Sequence, residues 1–128
     1  MEMTERAQSA IVVAVDDMFF AAKIRATGEA LGVALRFART AEQIVSAARE
    51  ENTPMIIFDL HAQKFDPLTV ARELKSDERL RHVPLLGFFS HVETELEKRA
   101  RAAGIERVMP RSAFSKRLGE ILKEAQGK

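Results

Sequence analysis

The sequence predicts a single α/β domain built on a doubly wound, five-stranded parallel sheet. Three observations predict it. Residues 11–15, 54–60 and 84–89 are apolar runs with no alternating polar positions, the pattern of strands buried on both faces. Strand-like and helix-like segments alternate along the chain, which implies right-handed crossovers with helices on both faces of the sheet. Two of the strands finish on carboxylates, Asp16-Asp17 and Asp59. A charge is costly inside a core, so these residues belong at the carboxyl edge of the sheet, where open parallel sheets bind ligands.

Residues 1–9 form a polar N-terminal tail, and residues 10–126 form the domain. The first strand covers residues 10–15. A helix over residues 18–31 follows, with Phe20, Ile24, Thr27 and Leu31 on one face. Gly28 weakens that helix and Gly32 stops it. Residues 33–37 are a short second strand. Thr40-Ala41-Glu42-Gln43 matches a capping box and opens a helix to residue 50, with Ile44, Ala47 and Ala48 inward. Asn52-Thr53-Pro54 turns the chain into the third strand, which ends at Asp59-Leu60. Asp66-Pro67 supplies an N-cap and a proline at the first helical position. That third helix turns Val70 and Leu74 inward and ends near Asp77. Residues 84–89 form the fourth strand. Ser90-His91-Val92-Glu93 matches a second capping box, and its helix places Leu96, Ala100 and Ala103 on one face before Gly104. Residues 106–109 form the fifth strand. A last helix over residues 112–125 carries Phe114, Leu118, Ile121, Leu122 and Ala125 on its apolar stripe.

Bulk properties exclude several classes of function. At 128 residues the chain is long enough for one real core. Lys and Arg number 20 against 19 Asp and Glu, a balance that gives no reason to expect direct nucleic-acid binding. There is no Cys, hence no disulfide framework, thiol chemistry or cysteine metal site. No apolar stretch is long enough to span a bilayer, and the N-terminus has no secretory signal pattern. The expected location is cytoplasmic, with no membrane contact. His61, His82 and His91 lack metal-ligand spacing. No glycine-rich phosphate loop or nucleophile–base constellation appears, so the chain is not expected to be an enzyme.

Of the common doubly wound strand orders, 2-1-3-4-5 places the first and third strands side by side. Asp16, Asp17 and Asp59 then converge. In order and spacing the chain resembles a response-regulator receiver domain, of flavodoxin-like fold. The likeness runs from Ile11 to Ala125. It rests on Val15-Asp16-Asp17 after the first strand, Phe58-Asp59-Leu60 at the third, and Asp66 near the third helix. Val83-Pro84-Leu85-Leu86, Ala103-Gly104 and Pro110-Arg111 complete it. This resemblance implies that Asp59 stands at the phospho-acceptor position. It also implies that Asp16, Asp17, Asp59 and the main-chain carbonyl of His61 hold a weakly bound Mg²⁺. The residue types suit that chemistry: Mg²⁺ takes a few carboxylates and phosphate oxygens, and a carboxylate nucleophile gives an aspartyl-phosphate.

The switch positions depart from the family. Phe89 stands where a Thr or Ser would contact the phosphoryl group, and Ser90 is one residue too late unless the strand ends early. Ser90 is also an N-cap for the fourth helix. Arg111 replaces a lysine, with the prospect of reaching a phosphate or Asp59. Ser112 replaces the proline that usually follows in a cis bond, so this bond is expected to be trans. Val108 stands where an aromatic switch residue is common. His61-Ala62-Gln63-Lys64 replaces a Met-Pro-Gly pattern. Plain structural roles stand beside the sharp ones: Asp17 as N-cap of the first helix, Asp66 as N-cap of the third.

The expectation is a stand-alone, atypical receiver-like module of a two-component or phosphorelay system, acting by protein–protein contact. Its partners would be a histidine kinase or phosphotransfer protein and an output protein. The contact face would be the fourth helix, fifth strand and fifth helix, with Lys98, Arg101, Arg107 and Lys116. A homodimer on that face is a further expectation. Phe65 is a candidate exposed contact. The alternatives are a small flavodoxin-like ligand or cofactor binder, or a weak Mg²⁺-dependent phosphohydrolase.

Overall fold

The structure, a computed structural model, describes residues 9–50, 52–90 and 93–127. The N-terminal tail up to Gln8 lies outside the described residues, as do His91 and Val92 of the second capping box. Five parallel strands form one sheet: β1 (Ile11–Ala14), β2 (Leu35–Phe37), β3 (Ile56–Asp59), β4 (Leu85–Phe89) and β5 (Arg107–Pro110). Their order is β2-β1-β3-β4-β5, as expected. Six helical segments join them: α1 (Met18–Leu31), α2 (Ala41–Glu50), α3 (Pro67–Ser76), α4 (Thr94–Ala102), α5 (Arg111–Lys116) and α6 (Leu118–Ala125).

The period-two geometry of strands sends alternate side chains to opposite faces. Ile11, Val13, Ile57, Leu86 and Phe88 pack under α1, α5 and α6 with Phe20, Ile24, Phe114 and Ile121. Val12, Ala14, Ile56, Phe58, Leu85 and Phe89 pack under α2, α3 and α4 with Ile44, Val70, Leu74 and Ala100. Both faces are covered, which is why the strand sequences carry no polar alternation.

Local signals account for several helix ends. Asp17 Oδ1 caps α1, accepting from Phe19 N and Phe20 N at 3.0 and 3.1 Å. Gly32 ends α1 in the left-handed region at φ 70°. Thr40 Oγ1 accepts from Gln43 N at 3.1 Å, and Gln43 Oε1 reaches back to Arg39 N at 2.8 Å, one residue beyond the usual capping-box partner. Gly28 is the small residue that β2 requires, since a Cβ there would lie 2.6 Å from Leu35 Cδ1.

Four expectations need correction. The last helix is not continuous: Arg117, at φ −104° and ψ 12°, separates α5 from α6. The new helix starts from the Arg117 carbonyl, which accepts from Ile121 N at 2.8 Å, and Gly119 lowers helix propensity just there. Ser90 does not cap α4. The chain is still extended at Glu93, the N-cap residue, whose side chain makes no capping bond. Phe65 is buried rather than exposed, with its ring centroid 6.5 Å from that of Phe58. It precedes the α3 N-cap and shares a core cluster with Val70 four residues into the helix, the arrangement of a hydrophobic staple. Finally, β5 runs over Arg107–Pro110 rather than residues 106–109; Glu106, just before it, still donates its N–H to Leu85 O at 3.1 Å, and its carboxylate accepts from Leu85 N at 2.7 Å.

Candidate functional site

The carboxyl edge of the sheet gathers the acidic residues. Ala14 pairs with Phe58, so the segments leaving β1 and β3 run side by side. Asp59 is the last residue of β3 and is only 6% exposed. Gly87 makes room for the residue after it: a Cβ on Gly87 would lie 2.9 to 3.1 Å from three carbons of Leu60. Leu60 N continues the ladder to Phe88 O at 2.9 Å, holding Asp59 at the edge.

Each carboxylate has protein partners. Asp59 Oδ1 accepts from His61 N at 2.9 Å. Asp16 Oδ2 accepts from Gln63 N at 2.7 Å and Lys64 N at 3.0 Å, which closes the loop after β3 over the end of β1. Asp17 uses Oδ1 for the α1 cap and Oδ2 for Arg111 Nη2 at 3.0 Å. The Arg111 guanidinium lies 4.0 Å from the centroid of the Phe20 ring. Burial pushes the Asp59 carboxyl up from its ordinary value, and the Asp16 charge adds to that; the His61 N–H and the Arg111 charge oppose it. Asp17 is held below the ordinary value, first by the Phe20 N–H and then by its bond to Arg111.

Arg111 therefore pairs with Asp17, not with Asp59. The reach of its side chain and the aromatic face of Phe20 carry it across to α1. The bond between Arg111 and Ser112 is trans, and no described peptide bond is cis. Phe89 is buried in the α2–α4 side of the core, and Val108 lies in the same cluster. Ser90 is exposed, just past the end of β4. Asp66 is an N-cap, accepting from Leu68 N, Thr69 N and the Thr69 hydroxyl.

The residues as they stand do not fit a magnesium site. Both oxygens of Asp17 have partners, and Asp16 is turned to the loop amides. The His61 carbonyl accepts from Gln63 Nε2 at 3.4 Å. Among the described residues no group of three or more His, Asp or Glu side chains is placed to hold a metal ion. The arrangement instead offers one buried carboxylate of raised pKa and a guanidinium balancing its acidic neighbours.

Sequence reasoning missed the Asp17–Arg111–Phe20 arrangement. The residues are far apart in sequence, and nothing local signals the pairing. It also missed the hold of the Gln63 and Lys64 amides on Asp16. Met18 and Phe19, 69% and 92% exposed beside the pocket, were legible only as part of an amphipathic helix.

No family model matches the chain. The polar-differentiation response regulators DivK of Brucella ovis and Brucella abortus are 28% identical to it over 99 residues, covering 77% of this chain and 80% of theirs. Among solved structures, the receiver domain of a sensor histidine kinase from Pseudomonas aeruginosa PAO1 superposes with a TM-score of 0.80 at 20% identity. That match covers 95% of this chain and all of the other, which has a magnesium ion coordinated in its active-site cleft. The signal receiver domain of a histidine kinase from Syntrophus aciditrophicus gives 0.79 at 18% identity, covering 93% and 90%. At these identities the structures speak for the fold, and the curated relatives add the likeness in sequence. In fold and in sequence, the chain is similar to response-regulator receiver domains.

Proposed function

We propose that this chain is an atypical receiver domain, with Asp59 at the phospho-acceptor position but without the usual means of reading a phosphoryl group there. The observation that carries this reading is the packing of the switch positions. Phe89 and Val108 are both buried in one apolar cluster, and Arg111 is engaged by Asp17. A receiver that couples a hydroxyl to an aromatic ring has neither part here. Asp59 keeps the position of a carboxylate nucleophile, but no hydroxyl or lysine stands at the matching positions to neutralise an incoming phosphoryl group.

Mg²⁺ binding in this chain is accordingly weak. The support for it is the magnesium in the cleft of the Pseudomonas aeruginosa receiver domain, and the carboxylates Asp16, Asp17 and Asp59 at the carboxyl ends of β1 and β3. No step of the proposed function runs through the ion.

The domain acts by contact rather than by turnover. A histidine kinase or phosphotransfer protein addresses the pocket edge, and an output protein or a second copy addresses the face of α4, β5 and the α5–α6 segment. Lys98 and Lys116 are exposed on that face and Arg107 is partly so. Arg101 is spent largely inside the molecule, on Glu97 at 3.4 Å and on the carbonyls of Glu106 and Val108 at 3.5 Å. Alanine at Lys98 and Lys116 is therefore expected to weaken partner binding more than alanine at Arg101. Among the described residues no helix is long and apolar enough to cross a membrane.

Intact mass after incubation with Mg²⁺ and acetyl phosphate tests the reading. The wild type is expected to show a minor adduct or none, and Asp59→Ala none. A stoichiometric, Asp59-dependent adduct would show that the switch substitutions do not impair phosphorylation, and the atypical reading would fall.

A further inference from the structure

We infer that Arg111 is the resident cation of the acidic pocket, occupying Asp17 where a divalent ion would bind, so that metal binds only by displacing it. The argument starts from the two oxygens of Asp17. Oδ1 accepts from the Phe19 and Phe20 amides at 3.0 and 3.1 Å, and Oδ2 accepts from Arg111 Nη2 at 3.0 Å. The amides belong to the first turn of a fourteen-residue helix and do not move without unwinding it. Arg111 is the partner that can leave.

Leaving is opposed from a second side. The guanidinium stacks 4.0 Å from the centroid of Phe20. That ring is fixed in turn, with centroids 5.1 Å from Phe88 and 5.9 Å from Phe114, themselves stacked at 4.8 Å. A planar guanidinium gains from an aromatic face and from a carboxylate at once, which a compact ammonium does less well. Phe20 is thus a positioning residue for Arg111. Asp16, the other carboxylate leaving β1, is held by the Gln63 and Lys64 amides at 2.7 and 3.0 Å and does not compensate. A divalent ion approaching Asp17 meets the guanidinium charge already there, and repulsion adds to competition for the oxygen.

The inference rests on the reading of Asp16, Asp17 and Asp59 as one pocket, but not on whether Asp59 accepts phosphate. Its test reads metal binding alone. Mg²⁺ would be titrated calorimetrically, and Mn²⁺ by loss of the free-ion electron paramagnetic resonance signal. The proteins are the wild type, Arg111→Ala, Arg111→Gln, Phe20→Leu and the double variant Asp17→Asn/Arg111→Ala.

Both Arg111 variants are expected to bind metal about tenfold more tightly, the scale of removing one partly screened charge and its competition. Phe20→Leu is expected to tighten binding by roughly threefold, since Arg111 loses its cation–π contact but keeps its bond to Asp17. The double variant loses the gain. Raising the salt concentration narrows the gap between wild type and Arg111→Ala. If folded Arg111→Ala and Arg111→Gln bind Mg²⁺ and Mn²⁺ no more tightly than the wild type, the inference is overturned. It is overturned too if the gain survives Asp17→Asn. Either result leaves the acetyl phosphate experiment to judge Asp59 separately.

Discussion

At Asp59 two opposing effects meet. Burial pushes its carboxyl up, while the His61 N–H and the Arg111 charge favour the ionised form, and burial prevails. The folded protein therefore holds a proton on Asp59 to higher pH than the unfolded chain does. Between those two titrations the native state binds more protons, so this residue makes stability fall as pH rises through the window above the ordinary Asp value. Asp59→Asn keeps the shape and removes the buried charge. It is expected to raise stability at pH 7 by about 1–2 kcal/mol, with the gain disappearing as the pH is lowered to the point where Asp59 is neutral anyway. Thermal unfolding of both proteins from pH 4 to 8 checks this, and a gain that persisted unchanged at pH 4 would contradict it. Asp17 behaves in the opposite sense. Its lowered pKa gives stability that is present above the ordinary Asp value and is lost as pH falls through the folded-state titration. The pair it makes with Arg111 is about one third exposed on each side, so solvent screening holds its worth down. Arg111→Ala is expected to cost only about 0.5–1 kcal/mol in urea titration, small enough that the metal-binding comparison is made on folded protein.

The elements divide by where their determinants lie. Caps are local, and the sequence showed them: Asp17, Thr40 with Gln43, Asp66 with Pro67, and Gly32 all act as their spacing suggested. The start of α4 was not legible, because the Ser90 to Glu93 match puts the cap at Ser90, whereas the N-cap residue is Glu93, itself in extended conformation. The break at Arg117 was hidden because the apolar stripe of residues 114–125 runs through it without a change of period. Phe65 was misplaced because a lone aromatic in a polar loop carries no sign of which side of the loop it takes. Two substitutions test the element-level account. Asp66→Ala removes the acceptor for two helix amides and the Thr69 hydroxyl, and is expected to cost about 1–2 kcal/mol in chemical denaturation. Gly87→Ala inserts a methyl group within about 3 Å of the Leu60 side chain in a strand buried on both faces, and is expected to cost about 1–3 kcal/mol. Since Leu60 adjoins Asp59, Gly87→Ala should also shift the His61 amide resonance. Unchanged stability would mean that Leu60 has room to retreat.

For the whole molecule, the doubly wound sheet was legible because burial on both faces suppresses polar alternation, and that suppression is visible residue by residue. The convergence of Asp16, Asp17 and Asp59 followed from strand order alone. What each carboxylate bonds to did not, because those partners are fixed by packing between distant segments. The same distinction applies at the far end of the sheet, where a contact that no motif announces ties together α3, the loop after it, β4 and β5. Lys75 Nζ donates to the Arg81 carbonyl at 3.1 Å, the Val83 carbonyl at 3.0 Å and Glu106 Oε2 at 2.5 Å. Glu106 Oε1 accepts from Leu85 N, and Gly104, at φ 105°, leaves the space that Lys75 fills. Burial alone would raise the Glu106 pKa, but the Lys75 bond and the Leu85 amide outweigh it and lower the value overall. A lowered folded-state pKa means that the stabilisation is complete above the ordinary Glu value and is lost as pH falls through the folded one. Glu106→Gln is therefore expected to lose about 1 kcal/mol at pH 7, discounted because the Glu106 side chain is half-exposed, and nothing once both proteins are below that titration. Denaturation midpoints at pH 7 and pH 3 decide it. Because this clamp sits at the amino ends of β4 and β5, away from Asp59, the variant should leave metal affinity and the acetyl phosphate result unchanged. A change in either would mean that the two ends of the sheet are coupled.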